Sequence, residues 1–265
     1  METTETVMSA DGTAIAFERL GNGRPVILVA GALQGRATHR PLAEELARYV
    51  TVVNYDRRGR GDSGDTAPYA VEREVEDLAA LIAATAGCAS VYGHSSGAAL
   101  VLHAAARGLP MDKIVLHEAP FGSGSAEENA AEQEEGERIS ALLAQARRAD
   151  AVHSFLASMG MPPEVAEQLS RDPAMLANAP TLRYDPYEVM SAPSRAGRTP
   201  AEQAAGVTVP GLVLAGGASP EWMLDASRRI ADAMPNGRLR VLEGQDHIVP
   251  PGVLAPVLAE FLDAN

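Results

Sequence analysis

The segment Val91–Gly97 constrains the fold of this chain more than any other. A short apolar run leads into it, and the nearly all-apolar segment Ser96–Arg107 follows it. Gly93 and Gly97 each stand two residues from Ser95, where a side chain would collide as the chain doubles back. This G-x-S-x-G spacing predicts a nucleophile elbow, a strained strand-to-helix turn that exposes a serine hydroxyl. The pattern also suits a Gly/Ser-rich helix cap, so the rest of the chain has to distinguish the two.

Strand-like and helix-like segments alternate on both sides of this turn. Strands are predicted near Thr4–Ser9, Ala14–Arg19, Pro25–Val29, Val50–Tyr55, Ser90–Tyr92, Met111–His117, Val209–Ala215 and Arg238–Leu242. Helices are predicted near Arg40–Arg48, Val71–Ala86, Ser96–Arg107, Glu221–Met234 and Val253–Leu262. Such alternation is typical of an α/β protein with a mostly parallel sheet and helices on both faces. The first two strands flank a hairpin signal at Asp11-Gly12, so they should be antiparallel.

The pattern changes between residues 121 and 205, where short helical pieces broken by Pro and Gly replace the strands. Helices are predicted at Glu127–Glu137, Ala141–Ala151, Val152–Met159, Pro163–Ser170 and Pro173–Ala177, followed by loops over Arg183–Pro200. Because this segment follows a strand that ends near Glu118, we expect a helical cap inserted into the α/β core. The predicted division is therefore a core of residues 1–120 and 206–265 and a cap of residues 121–205.

Charge and composition exclude several classes of partner. The net charge is −13, whereas nucleic acids and anionic membranes bind clustered positive charge, so we expect neither as a partner. The polar, acidic start Met1–Thr6 lacks the features of a signal peptide, and no apolar run approaches the roughly 18 residues of a membrane span. We therefore expect a cytoplasmic protein, and the sequence leaves its oligomeric state open.

No cofactor is predicted from the motifs. The chain has no H-E-x-x-H motif, no Cys/His cluster, and no dinucleotide fingerprint after a strand. The glycine-rich turn Asp56–Gly64 could cradle a phosphate, but it lacks the G-K-[S/T] ending and the helix-start spacing of phosphate loops. We expect a small-molecule substrate with neither metal nor organic cofactor.

Four stretches together carry a resemblance to a known family. Leu28–Gly35, Asp56–Gly64, Gly93–Gly97 and Gly244–His247 resemble, in order and spacing, those of the α/β-hydrolase superfamily in its capped, single-domain form. The resemblance extends from the first hairpin to the last helix. It implies an eight-stranded, mostly parallel sheet of the α/β-hydrolase fold and a catalytic triad of serine, acid and histidine.

The resemblance implies that Ser95 is the nucleophile and His247 its base. A serine hydroxyl is a poor nucleophile unless a neighbouring base takes its proton. His247 follows the last predicted strand, where this family places its histidine, and the chain order of serine, acid and histidine fits. The other five histidines are explained better by positions in helices, strands or the elbow itself.

The acid of the triad departs from the usual family pattern. The usual family position is in the loop after Leu212–Ala215, where Ser219 stands in place of an aspartate. Some relatives carry the acid after the strand that follows the elbow helix, and that position here is Glu118. A carboxylate at the end of an apolar strand would be costly unless paired, so we assign Glu118. Glu221 and Asp225 remain alternatives.

Two backbone N–H groups should form the oxyanion hole: those of Ser96, which follows the nucleophile, and Ala32, in the loop after Val26–Val29. The expected reaction is hydrolysis of an ester or lactone of a small apolar substrate through an acyl-enzyme on Ser95. Two alternatives remain. The same triad could serve perhydrolase, C–C hydrolase or cyclase chemistry, or the fold could serve a non-catalytic ligand receptor.

Overall fold

An eight-stranded sheet runs through the molecule, as seen in a computed structural model that describes residues 4–85, 87–191, 193 and 196–264. Its strands are β1 (Glu5–Met8), β2 (Ala14–Leu20), β3 (Pro25–Val29), β4 (Thr51–Tyr55), β5 (Ala89–His94), β6 (Met111–His117), β7 (Gly211–Gly216) and β8 (Gly237–Leu242). Their spatial order is β1-β2-β4-β3-β5-β6-β7-β8. The pairs β1–β2 and β2–β4 are antiparallel and all other pairs are parallel, which confirms the predicted fold class.

Helices cover both faces of this sheet. The core helices are α1 (Arg36–Leu46), α2 (Val71–Ala83), α3 (Ser96–Ala106), α9 (Glu221–Ala233) and α10 (Pro251–Asp263). The helices α1 and α10 share one apolar cluster with the sheet, and α2, α3 and α9 share another on the opposite face. The strand β5 is buried along its whole length between these two layers. Its carboxyl end therefore lies at the centre of the sheet edge, where open α/β sheets bind ligands.

The segment between β6 and β7 is helical, and its described residues contain no strand. Its helices are α4 (Ala126–Ala144), α5 (Arg148–Ser158), α6 (Pro163–Leu169), α7 (Pro173–Asn178) and α8 (Pro200–Ala204), with a 3₁₀ turn at Ala179–Arg183 and a π-helical turn at Asp185–Met190. These helices enclose a third apolar cluster, which also includes Leu33 from the loop after β3. The loop after β3 therefore comes from the part of the chain that forms the sheet, but its side chains pack against the helical segment.

Two predicted boundaries in the cap segment were wrong. The helix α4 continues through Gly136 to Ala144, and the chain turns at Ala146, which has a φ of 58°, rather than after Glu137. The stretch Arg183–Pro200, predicted as loops, contains the π-helical turn at Asp185–Met190; Ala192, Ser194 and Arg195 lie outside the described residues. Asp185 is fully buried there, and its charge partners lie in the core. Local sequence signals cannot reveal such a contact.

The helix α1 begins four residues earlier than its sequence predicts. A helix needs acceptors for its first four N–H groups. The Asp56 carboxylate, at the end of β4, accepts the N–H of Arg36 at 2.8 Å and binds its guanidinium at 2.7 Å. This acceptor comes from 20 residues along the chain, so the true start of the helix depends on tertiary structure.

The elbow glycines are required by close approach. A Cβ on Gly93 would lie 2.5 Å from the carbonyl oxygen of Gly97, and a Cβ on Gly97 would lie 2.3 Å from that of Val29. Real Cβ atoms essentially never come so near to backbone oxygen. The helix α3 therefore packs directly on β3 and β5 at this point.

No helix in the described part of the chain combines the length and apolar character that a membrane crossing would need.

The substitution Gly97→Ala tests the close packing at the elbow. The added methyl group would meet backbone oxygens that cannot move without shifting β3, so we expect the free energy of unfolding to fall by about 3 kcal/mol. Gly252→Ala in α10 is the matched control, because nothing lies within 4 Å of its Cβ position. Denaturant unfolding should show a change within about 1 kcal/mol for the control. Equal effects of the two substitutions would contradict the interpretation.

Candidate active site

Ser95 occupies a strained backbone conformation at the end of β5. Its φ is 56° and its ψ is −126°, a combination that non-glycine residues rarely adopt. Only four non-glycine residues in the described part of the chain have positive φ, and three are candidate site residues or their neighbours: Leu33, Ser95 and Glu118. Strain of this kind persists only where surrounding structure enforces it, and it clusters at active sites. Ser95 therefore has the strained strand-to-helix backbone geometry that the sequence predicts for a nucleophile elbow.

Glu118 and His247 form a direct hydrogen bond. The Oε2 atom of Glu118 lies 2.6 Å from the Nδ1 atom of His247, although the two residues are 129 positions apart. Glu118 is fully buried, whereas the side chain of His247 remains 29% exposed. With Nδ1–H donating to the carboxylate, the Nε2 atom of His247 is left to accept a proton. The structure thus joins the predicted acid to the predicted base.

The Glu118 carboxylate is held in its ionised form. Burial by itself would raise its pKa, but the hydrogen bond from His247 and that from the Gly216 N–H, at 2.7 Å, more than compensate and lower it. The φ of 49° at Glu118 turns the chain just past the end of β6, beside β7. A negative charge at this place stabilises an imidazolium on His247.

The alternative acids lie elsewhere. Glu221 and Asp225 both bind the guanidinium of Arg228, each at 2.8 Å, near the start of α9. Asp246 accepts the backbone N–H of Ile248 within the same loop as His247. None of these carboxylates has a hydrogen bond to His247 in the described part of the chain. Of the predicted candidates, only Glu118 contacts the histidine.

The two predicted oxyanion donors flank Ser95. A Cβ on Gly31 would lie 3.1 Å from the Cβ of Ser95, so the loop that carries Ala32 runs beside the nucleophile. The N–H of Ser96 belongs to the first turn of α3, where backbone donors have no intrahelical acceptor. Within the described residues the N–H of Ala32 has no acceptor either. Both groups can therefore donate to a negatively charged oxygen.

His94 joins the elbow to the loop that carries the base. Its Nε2 atom lies 3.0 Å from the carbonyl oxygen of His247, to which it can donate, and the two imidazole rings are 4.6 Å apart. Its Nδ1 atom lies 3.4 Å from the Oε1 atom of Gln34, which accepts the N–H of Gly31 at 3.1 Å. The sequence interpretation treated His94 as the variable position of the elbow and did not single out Gln34. His94 adjoins Ser95 in the sequence, but only the fold brings Gln34 and the carbonyl group of His247 to it.

The family model that matches this sequence covers residues 26–256 and describes the alpha/beta hydrolase family. This chain belongs to that family. The match spans the elbow, Glu118 and His247 together, as well as the helical segment between β6 and β7.

Three known proteins illustrate how this hydrolase compares with others. An alpha/beta hydrolase from Sphaerobacter thermophilus DSM 20745 is 47% identical over 97% of this chain and 100% of that chain, with a TM-score of 0.87. A thermophilic esterase from Thermogutta terrifontis, solved with malate bound, has a TM-score of 0.73 at 21% identity over 99% of this chain and 98% of that chain, a likeness of fold. N-formylmaleamate deformylase from Pseudomonas putida is 35% identical over 119 residues. That match covers 43% of this chain and 44% of the deformylase, so the chain spans less than half the length of this curated relative.

A cluster of buried histidines lies behind His247 in this hydrolase. His39, His94 and His117 line a cavity of about 280 Å³ together with His247 and Tyr92. Burial lowers the pKa of His39 and of His117 to about 4, and that of His94 also falls well below its usual value. These imidazoles therefore stay neutral at neutral pH, and the Tyr92 hydroxyl can donate to His117 Nδ1 at 2.8 Å.

The buried histidines should make stability depend on pH. Between pH 6.5 and about 4 the unfolded chain protonates histidines that remain neutral in the folded protein, so acid favours unfolding. From pH 7 to pH 5 we expect each of His39 and His117 to reduce the free energy of unfolding by about 2 kcal/mol. Denaturant unfolding at both pH values should show this loss reduced in His117→Gln. The same change at the half-buried His153 is the control, and an unaltered pH dependence in His117→Gln would contradict the assignment.

Proposed function

We propose that this hydrolase cleaves an ester or lactone of a small apolar substrate through an acyl-enzyme on Ser95. The observation that carries the proposal is the 2.6 Å hydrogen bond between Glu118 and His247, beside a strained serine elbow. Ser95 attacks the carbonyl carbon and gives its proton to His247 Nε2. The N–H groups of Ser96 and Ala32 bind the resulting oxyanion. His247 then protonates the leaving group, and water releases the acyl group by the same steps.

The apolar substrate is supported by a cavity close to the site. Its volume is about 420 Å³, within the range of small-molecule pockets. Pro120, two residues beyond Glu118 in the chain, is one of the residues that line it. Phe121, Met159 and Trp222 contribute apolar surface. Three glutamates also line it, namely Glu128, Glu132 and Glu135. Asp225 and one cation, Arg229, line it as well. An apolar lining with four carboxylates and one guanidinium favours neutral substrates over anionic ones.

We also propose that residues 121–205 act as the cap that selects the substrate. The helices of this segment pack around Leu33 and Ala32, so they meet the core at the oxyanion loop itself. Several apolar side chains of this segment, including those of Phe155 and Leu156, belong to this packing. Packing of this kind supports a role in shaping the acyl site.

A second candidate reaction is hydrolysis of an N-formyl amide. It is favoured by the 35% identity to a deformylase over 119 residues. The same nucleophile and base would serve: Ser95 takes the formyl group, His247 protonates the nitrogen of the amide that leaves, and water then releases formate. Relative kcat/KM values for p-nitrophenyl acetate and for a neutral N-formyl amide distinguish the two reactions.

Labelling with a fluorophosphonate tests the nucleophile. We expect intact mass to increase by one adduct and peptide mapping to place it on Ser95, because the elbow presents an activated hydroxyl. Ser95→Ala should take no label and should lose p-nitrophenyl ester hydrolysis by at least roughly 10³-fold. Ser140→Ala, at an exposed serine of α4 outside the apolar cavity, is the matched control and should label normally. Absence of label from the natural protein would overturn the proposal.

Substitution of the acid tests the triad. Glu118→Gln keeps the shape of the buried side chain but removes the charge that orients and stabilises His247, so kcat should fall by roughly 10³-fold. Glu221→Gln and Asp225→Asn are the controls, because both carboxylates bind Arg228 instead. Thermal unfolding of each variant shows whether the fold is retained. If kcat fell in Glu221→Gln or Asp225→Asn but not in Glu118→Gln, the triad acid would have to be reassigned to that residue of α9.

A further inference from the structure

Two arginines of the glycine-rich turn after β4 are buried with two carboxylates. Arg57 and Arg60 are 0% and 2% exposed, and Glu74 and Asp185 are 2% and 0% exposed. Arg57 binds Glu74 at 2.6 Å and Asp185 at 2.8 Å, while Arg60 binds Asp185 at 2.5 Å. Two positive and two negative charges balance, as the cost of burying charge requires. We call these four residues the ion cluster.

The ion cluster holds the carbonyl groups of the oxyanion loop. The Nη1 atom of Arg60 donates to the carbonyl oxygen of Gly31 at 2.6 Å, and the Nη1 atom of Arg57 donates to that of Ala30 at 3.2 Å. The Gly31 carbonyl and the Ala32 N–H belong to one planar peptide unit and point in opposite directions. Fixing the carbonyl therefore fixes the direction of the Ala32 donor. A charged partner on the carbonyl also polarises the unit and strengthens that donor.

The same cluster holds the second donor residue. The Ser96 hydroxyl donates to Asp185 Oδ1 at 2.8 Å and accepts from Arg57 Nη1 at 3.1 Å. Its side chain therefore points into the cluster, while its N–H stays in the first turn of α3 beside Ser95. Asp185 thus contacts Ser96 directly, and through Arg60 it holds the peptide unit that carries the N–H of Ala32.

We propose that Asp185 is a positioning residue that sets the geometry of the oxyanion hole. The inference rests on the proposed function, since it concerns the same site. Asp185 comes from the helical segment, whereas its partners all come from the core. Burial alone would raise its pKa, but Arg57, Arg60 and the Ser96 hydroxyl hold it below its usual value, so the carboxylate stays ionised. The two donors of the oxyanion hole are therefore held in place only when the helical segment is packed on the core with Asp185 between Arg57, Arg60 and Ser96.

The variant Asp185→Asn tests this role, with Asp77→Asn as the matched control. Asp77 forms a buried two-point ion pair with Arg58 of the same turn, at 2.7 and 2.8 Å. Within the described residues that pair has no hydrogen bond to the loop after β3 or to Ser96. We expect Asp185→Asn to lower kcat for p-nitrophenyl acetate by about 10- to 100-fold with KM within about twofold, because misplaced donors weaken transition-state binding. Asp77→Asn should change stability but leave kcat within about twofold.

A second measurement separates positioning from a merely structural role. Phenylboronic acid forms a tetrahedral, negatively charged adduct with a catalytic serine and so reports on the oxyanion hole. Its Kd should rise in Asp185→Asn by a factor similar to the fall in kcat/KM. Ser96→Ala keeps the backbone donor and the ion cluster, and it should show a smaller effect of the same kind. This variant serves as the test if Asp185→Asn does not fold.

The outcomes distinguish this inference from the proposed function. Natural protein that takes no fluorophosphonate label and hydrolyses no ester overturns both. Natural protein that labels, together with folded Asp185→Asn and Ser96→Ala that keep kcat and boronate Kd within twofold, overturns only the role of Asp185. A rise in KM without a fall in kcat also overturns it, because that result places Asp185 in substrate binding. A parallel loss of kcat and boronate affinity, absent from Asp77→Asn, supports it.

Discussion

The buried ion cluster of Arg57, Arg60, Glu74 and Asp185 is the interaction on which the rest of the site depends. It joins the turn after β4 to α2, to the loop after β3, to α3 and to the helical segment. Removing one partner from such a cluster leaves an uncompensated buried charge, which costs about 3–5 kcal/mol. Any other packing of these segments would leave one of the charges buried without a partner, so the ion cluster favours this one arrangement.

Backbone strain is concentrated at the same edge of the sheet. Leu33, Ser95 and Glu118 adopt positive φ at the ends of the neighbouring strands β3, β5 and β6. Each is held from outside: Leu33 by the apolar cluster of the helical segment, Ser95 by a hydrogen bond from its N–H to His117, and Glu118 by Gly216 and His247. Packing and hydrogen bonds offset a strain that would otherwise relax.

The placement of Glu118 explains how a carboxylate that follows β6 reaches His247. Parallel strands end at the same edge, so a residue past β6 lies beside one past β7. The loop that carries His247 passes directly over Gly216, where a Cβ would lie 2.5 Å from the carbonyl oxygen of Gln245. That close approach brings the histidine within reach of Glu118, while Ser219 occupies the usual position of the acid.

The sequence by itself determined the elements whose signals are local. The elbow was predictable because its G-x-S-x-G spacing lies within five residues, although the close approach that requires Gly97 is to the distant Val29. The sheet was predictable because apolar runs alternate with amphipathic helices. The sequence favoured Glu118 over Glu221 and Asp225 because it ends an apolar strand, but only the tertiary structure shows which carboxylate lies against His247. The tertiary structure alone brought Asp185 to Arg57 and Ser96, because contacts across 128 and 89 residues leave no periodic pattern in the sequence.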